Sequence, residues 1–104
     1  MAIAALKERE WFVPFNTADF AQACVQKLHS LESQVSEEML FNVGYVIPFV
    51  ELLEQYWLEH DIHDGPVDFL ECLGQMVADA MGQDQMSHRD QELTQQVLDQ
   101  LAQS

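Results

Sequence analysis

The sequence predicts an all-α fold: a small antiparallel bundle of four main helices. Three observations predict it. Apolar residues recur at three- and four-residue spacing over long segments, residues with capping chemistry stand between those segments, and nothing reads as a strand pair. Gly and Pro number only four and three in 104 residues, so few turns are signalled and the elements between them are long. The length suits one domain over residues 1–104 with a single modest core.

Residues 2–12 are compatible with a short helix ended by Pro14, although Trp11-Phe12-Val13 also suits an extended segment. Thr17 has N-cap chemistry, and a helix should follow to about Val35. Its apolar set is Phe20, Cys24, Leu28, Leu31 and Val35, which falls within an arc of about 80° at helical pitch. Ser36 caps the next helix, with Glu37 and Glu38 in the first turn, where the helix dipole favours anions. That helix runs through Met39, Val43, Val46 and Val50 towards His60, and a kink or break is expected near Pro48. Proline cannot donate to the carbonyl four residues back, here that of Gly44, so a short helix followed by Pro48–Glu59 is expected. Asp64-Gly65-Pro66 is the clearest punctuation, with Asp64 or Gly65 as cap and Pro66 in the first turn. The third helix should reach Met81, with Gly82 just past its end. Ser87, followed three residues on by Asp90, caps a last helix carrying Leu93, Val97, Leu98 and Leu101.

Charge is the unusual total, with 18 acids against 4 Lys+Arg for a net of −14. The excess lies entirely after residue 27, because Glu8, Glu10 and Asp19 balance Lys7, Arg9 and Lys27. Direct nucleic-acid binding and an anionic membrane surface both require basic residues, so both are disfavoured. No apolar run approaches the roughly 20 residues of a membrane span. The start has no basic region ahead of its six apolar residues, unlike a signal peptide, so a cytoplasmic location is expected. Cys24 and Cys72 are both expected to be reduced and buried among apolar helical positions.

Net charge alone makes no site. Spread over the roughly 6,000 Å² surface of a chain this size, 14 charges would sit about 20 Å apart, beyond the ~8 Å screening length of physiological salt. Clustering is what matters. Asp68, Glu71, Gln75 and Asp79 share one side of the third helix, and Glu59, Asp61 and Asp64 extend the cluster around the turn before it. Leu58 falls on the polar side of its helix and is a candidate interface residue. Trp11–Phe15, in the charge-neutral part of the chain, suits either an interface anchor or the seal of a bundle end.

Two carboxylate pairs, Glu51-x-x-Glu54 and Asp68-x-x-Glu71, stand on consecutive helices. On these four residues the chain resembles the all-α nucleotide pyrophosphatases of the MazG type, whose carboxylate pairs hold Mg²⁺. The resemblance implies a metal-dependent hydrolase with Glu51, Glu54, Asp68 and Glu71 as ligands. The second pair has the reverse of that family's order, no Lys or Arg stands near to hold phosphates, and both pairs point away from the apolar faces. His60 and His63 lie beside Asp61 and Asp64, a spacing that can bind a transition metal, but no third ligand follows, and a capping or packing role fits better. No phosphate loop, catalytic triad or zinc spacing is present.

The reading that follows is a non-enzymatic protein-binding module without cofactor. It would engage a basic protein, such as one that itself holds nucleic acid, as an inhibitor, immunity-type protein, anti-restriction-like protein or adaptor. The metal-dependent hydrolase is the second reading, and a homodimer built through the last helix is the third.

Overall fold

The computed structural model describes residues 15–103. These form four helices, α1 (Thr17–Glu32), α2 (Glu37–Glu59), α3 (Pro66–Gln83) and α4 (His88–Ala102), with no strand among the described residues. Short turns join them into a small all-α bundle. The proposed short helix over residues 2–12, and Trp11–Pro14, lie outside the described residues.

The first helix begins one residue earlier in its capping than its sequence suggests. Asn16 is the N-cap, its side chain accepting from the Asp19 amide at 3.0 Å. Thr17 is already helical and buried. Its hydroxyl lies 3.2 Å from the Ile62 carbonyl and 3.0 Å from His63 Nδ1, so it fastens the start of α1 to the α2–α3 turn. The helix stops at Glu32 rather than Val35. Val35 still packs on the core, from the turn that follows.

Helix α2 is not divided at Pro48; one helix of 23 residues runs through it. Gly44 and Pro48 are both exposed, so the Gly44 carbonyl that loses its donor lies on the solvent side. Ser36 stands at its N-cap position without a side-chain cap bond. Gly65 is the N-cap of α3, with φ of +144°, a backbone that favours glycine, and Pro66 follows in the first turn. Gly82 does not end α3. The helix continues to Gln83, and the chain reverses at Gln85, whose φ is +51°. Ser87 caps α4, accepting from the Asp90 amide at 3.1 Å.

The core is drawn from all four helices. Helix α2 packs against each of the other three and supplies Met39, Val43, Val46, Val50, Leu53 and Trp57. At one end, edge-to-face rings hold the bundle together: Phe69 of α3 lies 5.1 Å from Trp57 and 5.5 Å from Phe20, and Phe15 closes on Trp57 and Phe20. Phe15 thus seals the bundle end. The last helix places Leu93, Val97 and Leu101 in the same core, so its apolar stripe is used internally.

One buried polar pair joins α2 to α4. Asn42 and Thr94 are fully buried, and Asn42 Nδ2 donates to Thr94 Oγ1 and to the Asp90 carbonyl, each at 3.1 Å. Asn42 Oδ1 has no hydrogen-bond partner among the described residues.

Candidate protein-docking surface

The six carboxylates singled out by the sequence are all exposed. Glu59 ends α2, Asp61 and Asp64 lie in the turn, and Asp68, Glu71 and Asp79 follow on α3. Asp61 has positive φ (+55°), a conformation that aspartate tolerates. Two of them are steadied by amides one turn away, Asp79 by Gln75 at 3.0 Å and Glu59 by Gln55 at 3.4 Å. The stripe on α3 has two edges. Glu71 lines the groove between α3 and α4, whereas Gln75 and Asp79 line the groove between α3 and α2.

The two carboxylate pairs do not meet. Glu51 and Glu54 line a shallow hollow against α1, while Glu71 faces the α3–α4 side. Among the described residues no three His, Cys, Asp or Glu side chains come together as a metal-ligand set. The histidines act locally. His60 is the C-cap residue of α2; its Nδ1 lies 2.9 Å from the Tyr56 carbonyl and its ring stacks on Tyr56 at 4.1 Å. His63 is bracketed by Thr17 and by Asp61, the latter 3.1 Å from Nε2.

The cysteines part company. Cys24 is buried as expected, and burial pushes its thiol up to about 11, against a smaller lowering by Lys27. Cys72 is exposed, not buried. It stands on the edge of α3 that faces α2, where the two helices leave a groove open.

That groove is the feature the sequence reasoning missed. It holds about 550 Å³ between α2 and α3, lined by Leu52, Tyr56 and Trp57 on one wall and by Cys72, Met76 and Asp79 on the other. Its α2 wall continues as a stripe of Phe41, Tyr45, Phe49, Leu52 and Tyr56. Phe41, Leu52 and Tyr56 are 60%, 54% and 53% exposed. Helix α2 therefore carries a second apolar face beside its core face, and the bundle leaves that second face partly uncovered. Leu58, 48% exposed, is uncovered too, but on the α1 side of α2 at helical pitch, away from this stripe. A signal was present in the sequence: spacings of four, four, three and four residues mark a second helical face beside the core face.

Carboxylates border the stripe. Asp79 lines it, Glu59 stands one turn beyond Tyr56, and Asp84 accepts a 2.7 Å hydrogen bond from the Tyr45 hydroxyl. Partial burial, then the bond to Asp84 and its charge, raise the Tyr45 hydroxyl to about 12, so it stays protonated and donating. The two cations of the described residues are both engaged, Arg89 at the Phe41 end of the stripe and Lys27 away from it. Arg89 pairs with Glu38 at 2.8 Å, and this bond and charge hold the Glu38 carboxyl below its usual range. Lys27 donates to the Leu101 and Gln103 carbonyls at the end of α4.

Among the described residues, the fold and this surface define a small acidic helical bundle with an exposed apolar stripe along α2. Among known proteins, no family model, no curated protein and no solved structure matches the chain. No helix of the described residues is long and apolar enough to cross a membrane.

Proposed function

We propose that this protein is a non-enzymatic docking module that engages a basic protein through its carboxylate-rich helical surface. Inhibitor, immunity-type or adaptor roles are all built on such docking. The supporting observation is the side-by-side arrangement of exposed carboxylates and uncovered apolar side chains on α2 and α3. Apolar contact supplies affinity, and carboxylates on the rim select a cationic partner and speed its approach. Glu59 and Asp79 border the apolar stripe, and the exposed Asp61, Asp64, Asp68 and Glu71 continue the acidic surface around the α2–α3 turn and across α3. Leu58, exposed on the α1 side of α2, lies away from this surface and would serve only a contact that wraps round α2.

The hydrolase reading has less support, since Glu51 and Glu54 line a hollow against α1, Glu71 lines the α3–α4 groove, and no three ligand-type side chains come together among the described residues. The docking reading is tested by affinity capture on the full chain from its native host, followed by titration of the purified captured protein. The expected outcome is a basic protein whose binding weakens with salt. An acidic or neutral partner, or affinity unchanged by salt, refutes the reading.

A further inference from the structure

We infer that the groove between α2 and α3 receives a cationic amphipathic helix of the partner, laid along the Phe41–Tyr56 stripe. This inference rests on the docking reading above and gives that reading a specific ligand. The stripe spans 16 residues of α2, about 22 Å from Phe41 to Tyr56 at helical rise, which matches a partner helix of about four turns. Its spacing is that of a helix-in-groove seam, in which anchors at three- and four-residue intervals meet a complementary row. The 550 Å³ groove, floored by Trp57 and Met76, accepts the large apolar anchors of such a helix.

Charge complementarity decides the occupant. Asp79, Asp84 and Glu59 are spread along the stripe; Lys27 is held at the end of α4, and Arg89 is neutralised by Glu38, one turn before Phe41 on the same face. A helix with Lys or Arg flanking its apolar row meets carboxylates along the Tyr45–Tyr56 part of the contact. A second copy of this chain carries a net −14 overall and would bring the same carboxylates against this face. The chain's own residues 1–14 carry Lys7 and Arg9 against Glu8 and Glu10, so they offer no net complementary charge.

The test uses the full chain and a labelled synthetic peptide of about 18 residues with Leu at three- and four-residue spacing and Lys elsewhere. Leu52→Lys and Asp79→Lys change the groove, and Asp99→Lys changes the charge of the α3–α4 groove. All three sites are exposed, and circular dichroism melts check that each variant folds. The expected result is a Kd raised at least about tenfold by Leu52→Lys and by Asp79→Lys, and less than about twofold by Asp99→Lys. A scrambled peptide of equal charge should bind at least about tenfold more weakly than the ordered one.

Equal weakening by all three variants overturns the groove assignment while leaving the docking reading standing on bulk charge. No binding of any cationic peptide overturns the groove assignment, and the docking reading is then decided by the captured host protein alone. A chain that sediments as a dimer and becomes monomeric in Leu52→Lys assigns the face to a second copy, and overturns the inference. So does a peptide of residues 1–14 that binds more tightly than the cationic helix.

Discussion

Replacing Phe69 by alanine tests how α3 is held, and with it the groove that α3 forms. Phe69 is fully buried and lies edge-to-face with Trp57 at 5.1 Å and with Phe20 at 5.5 Å. Both distances are within the range where ring pairs add about 0.5–1.5 kcal/mol beyond area burial. A buried Phe→Ala change costs about 3–5 kcal/mol once the residual cavity is included. With two ring pairs lost, Phe69→Ala should sit in the upper half of that range, about 4 kcal/mol. A domain of this size has about 5–15 kcal/mol in total, so the variant should lose a quarter or more of its stability. Urea denaturation followed by circular dichroism and by tryptophan emission reads the change through Cm. Val67→Ala on the same helix, at a site 66% exposed, is the control and should cost less than about 0.5 kcal/mol. A loss below about 1.5 kcal/mol for Phe69→Ala, or an equal loss in the control, refutes the account of α3 docking through this ring cluster.

Three further outcomes are expected. Asn42→Asp should cost at least about 3 kcal/mol at neutral pH, since it removes the donor to Asp90 and Thr94 and buries a charge, whereas Asn42→Leu should stay within about 1–2 kcal/mol of the parent. The introduced carboxyl has its folded pKa raised by burial, so the Asn42→Asp deficit should shrink as pH falls; denaturation at neutral and acid pH checks it. Pro48→Ala should stabilise by about 2–3 kcal/mol, close to the helix-propensity difference between the two residues, and an unchanged Cm would contradict the account of α2. An aromatic disulfide reagent should label Cys72 at once and Cys24 only on unfolding, with the Cys24 thiolate suppressed up to about pH 11; equal labelling rates in the folded protein would contradict the assigned burial.

The helices were legible because caps and periodicity agree along most of the chain. Where boundaries moved, tertiary contacts decided. Asn16 and Thr17 both have capping chemistry, but Thr17 is drawn inward by Ile62 and His63, 45 and 46 residues away, a contact no local pattern reports. Gly82 resembles a helix terminator, yet nothing crowds it, and α3 ends only where Gln85 turns the chain. Pro48 removes one hydrogen bond, but its acceptor faces solvent, so the long apolar face of α2 prevails over the local penalty.

The candidate surface was legible in its charges and not in its apolar part. Exposure of the acids follows from their positions opposite the core faces, and the structure keeps them there. The apolar stripe of α2 was harder to find because the sequence cannot say which of two apolar faces the other helices will cover. Cys72 has the same cause: it borders the buried row of Phe69 and Leu73, but on the flank where α2 and α3 leave the groove open.

The central claim, that these carboxylates recruit a cationic partner, is met most directly by the association rate of the captured basic protein. Stopped-flow mixing would compare the parent with a Glu59→Lys, Asp79→Lys double variant as ionic strength rises from about 0.05 M to about 0.5 M. The account predicts a parent rate that falls at least about tenfold with salt, and a variant rate that starts low and barely changes. Equal rates for both proteins across the salt series would contradict it.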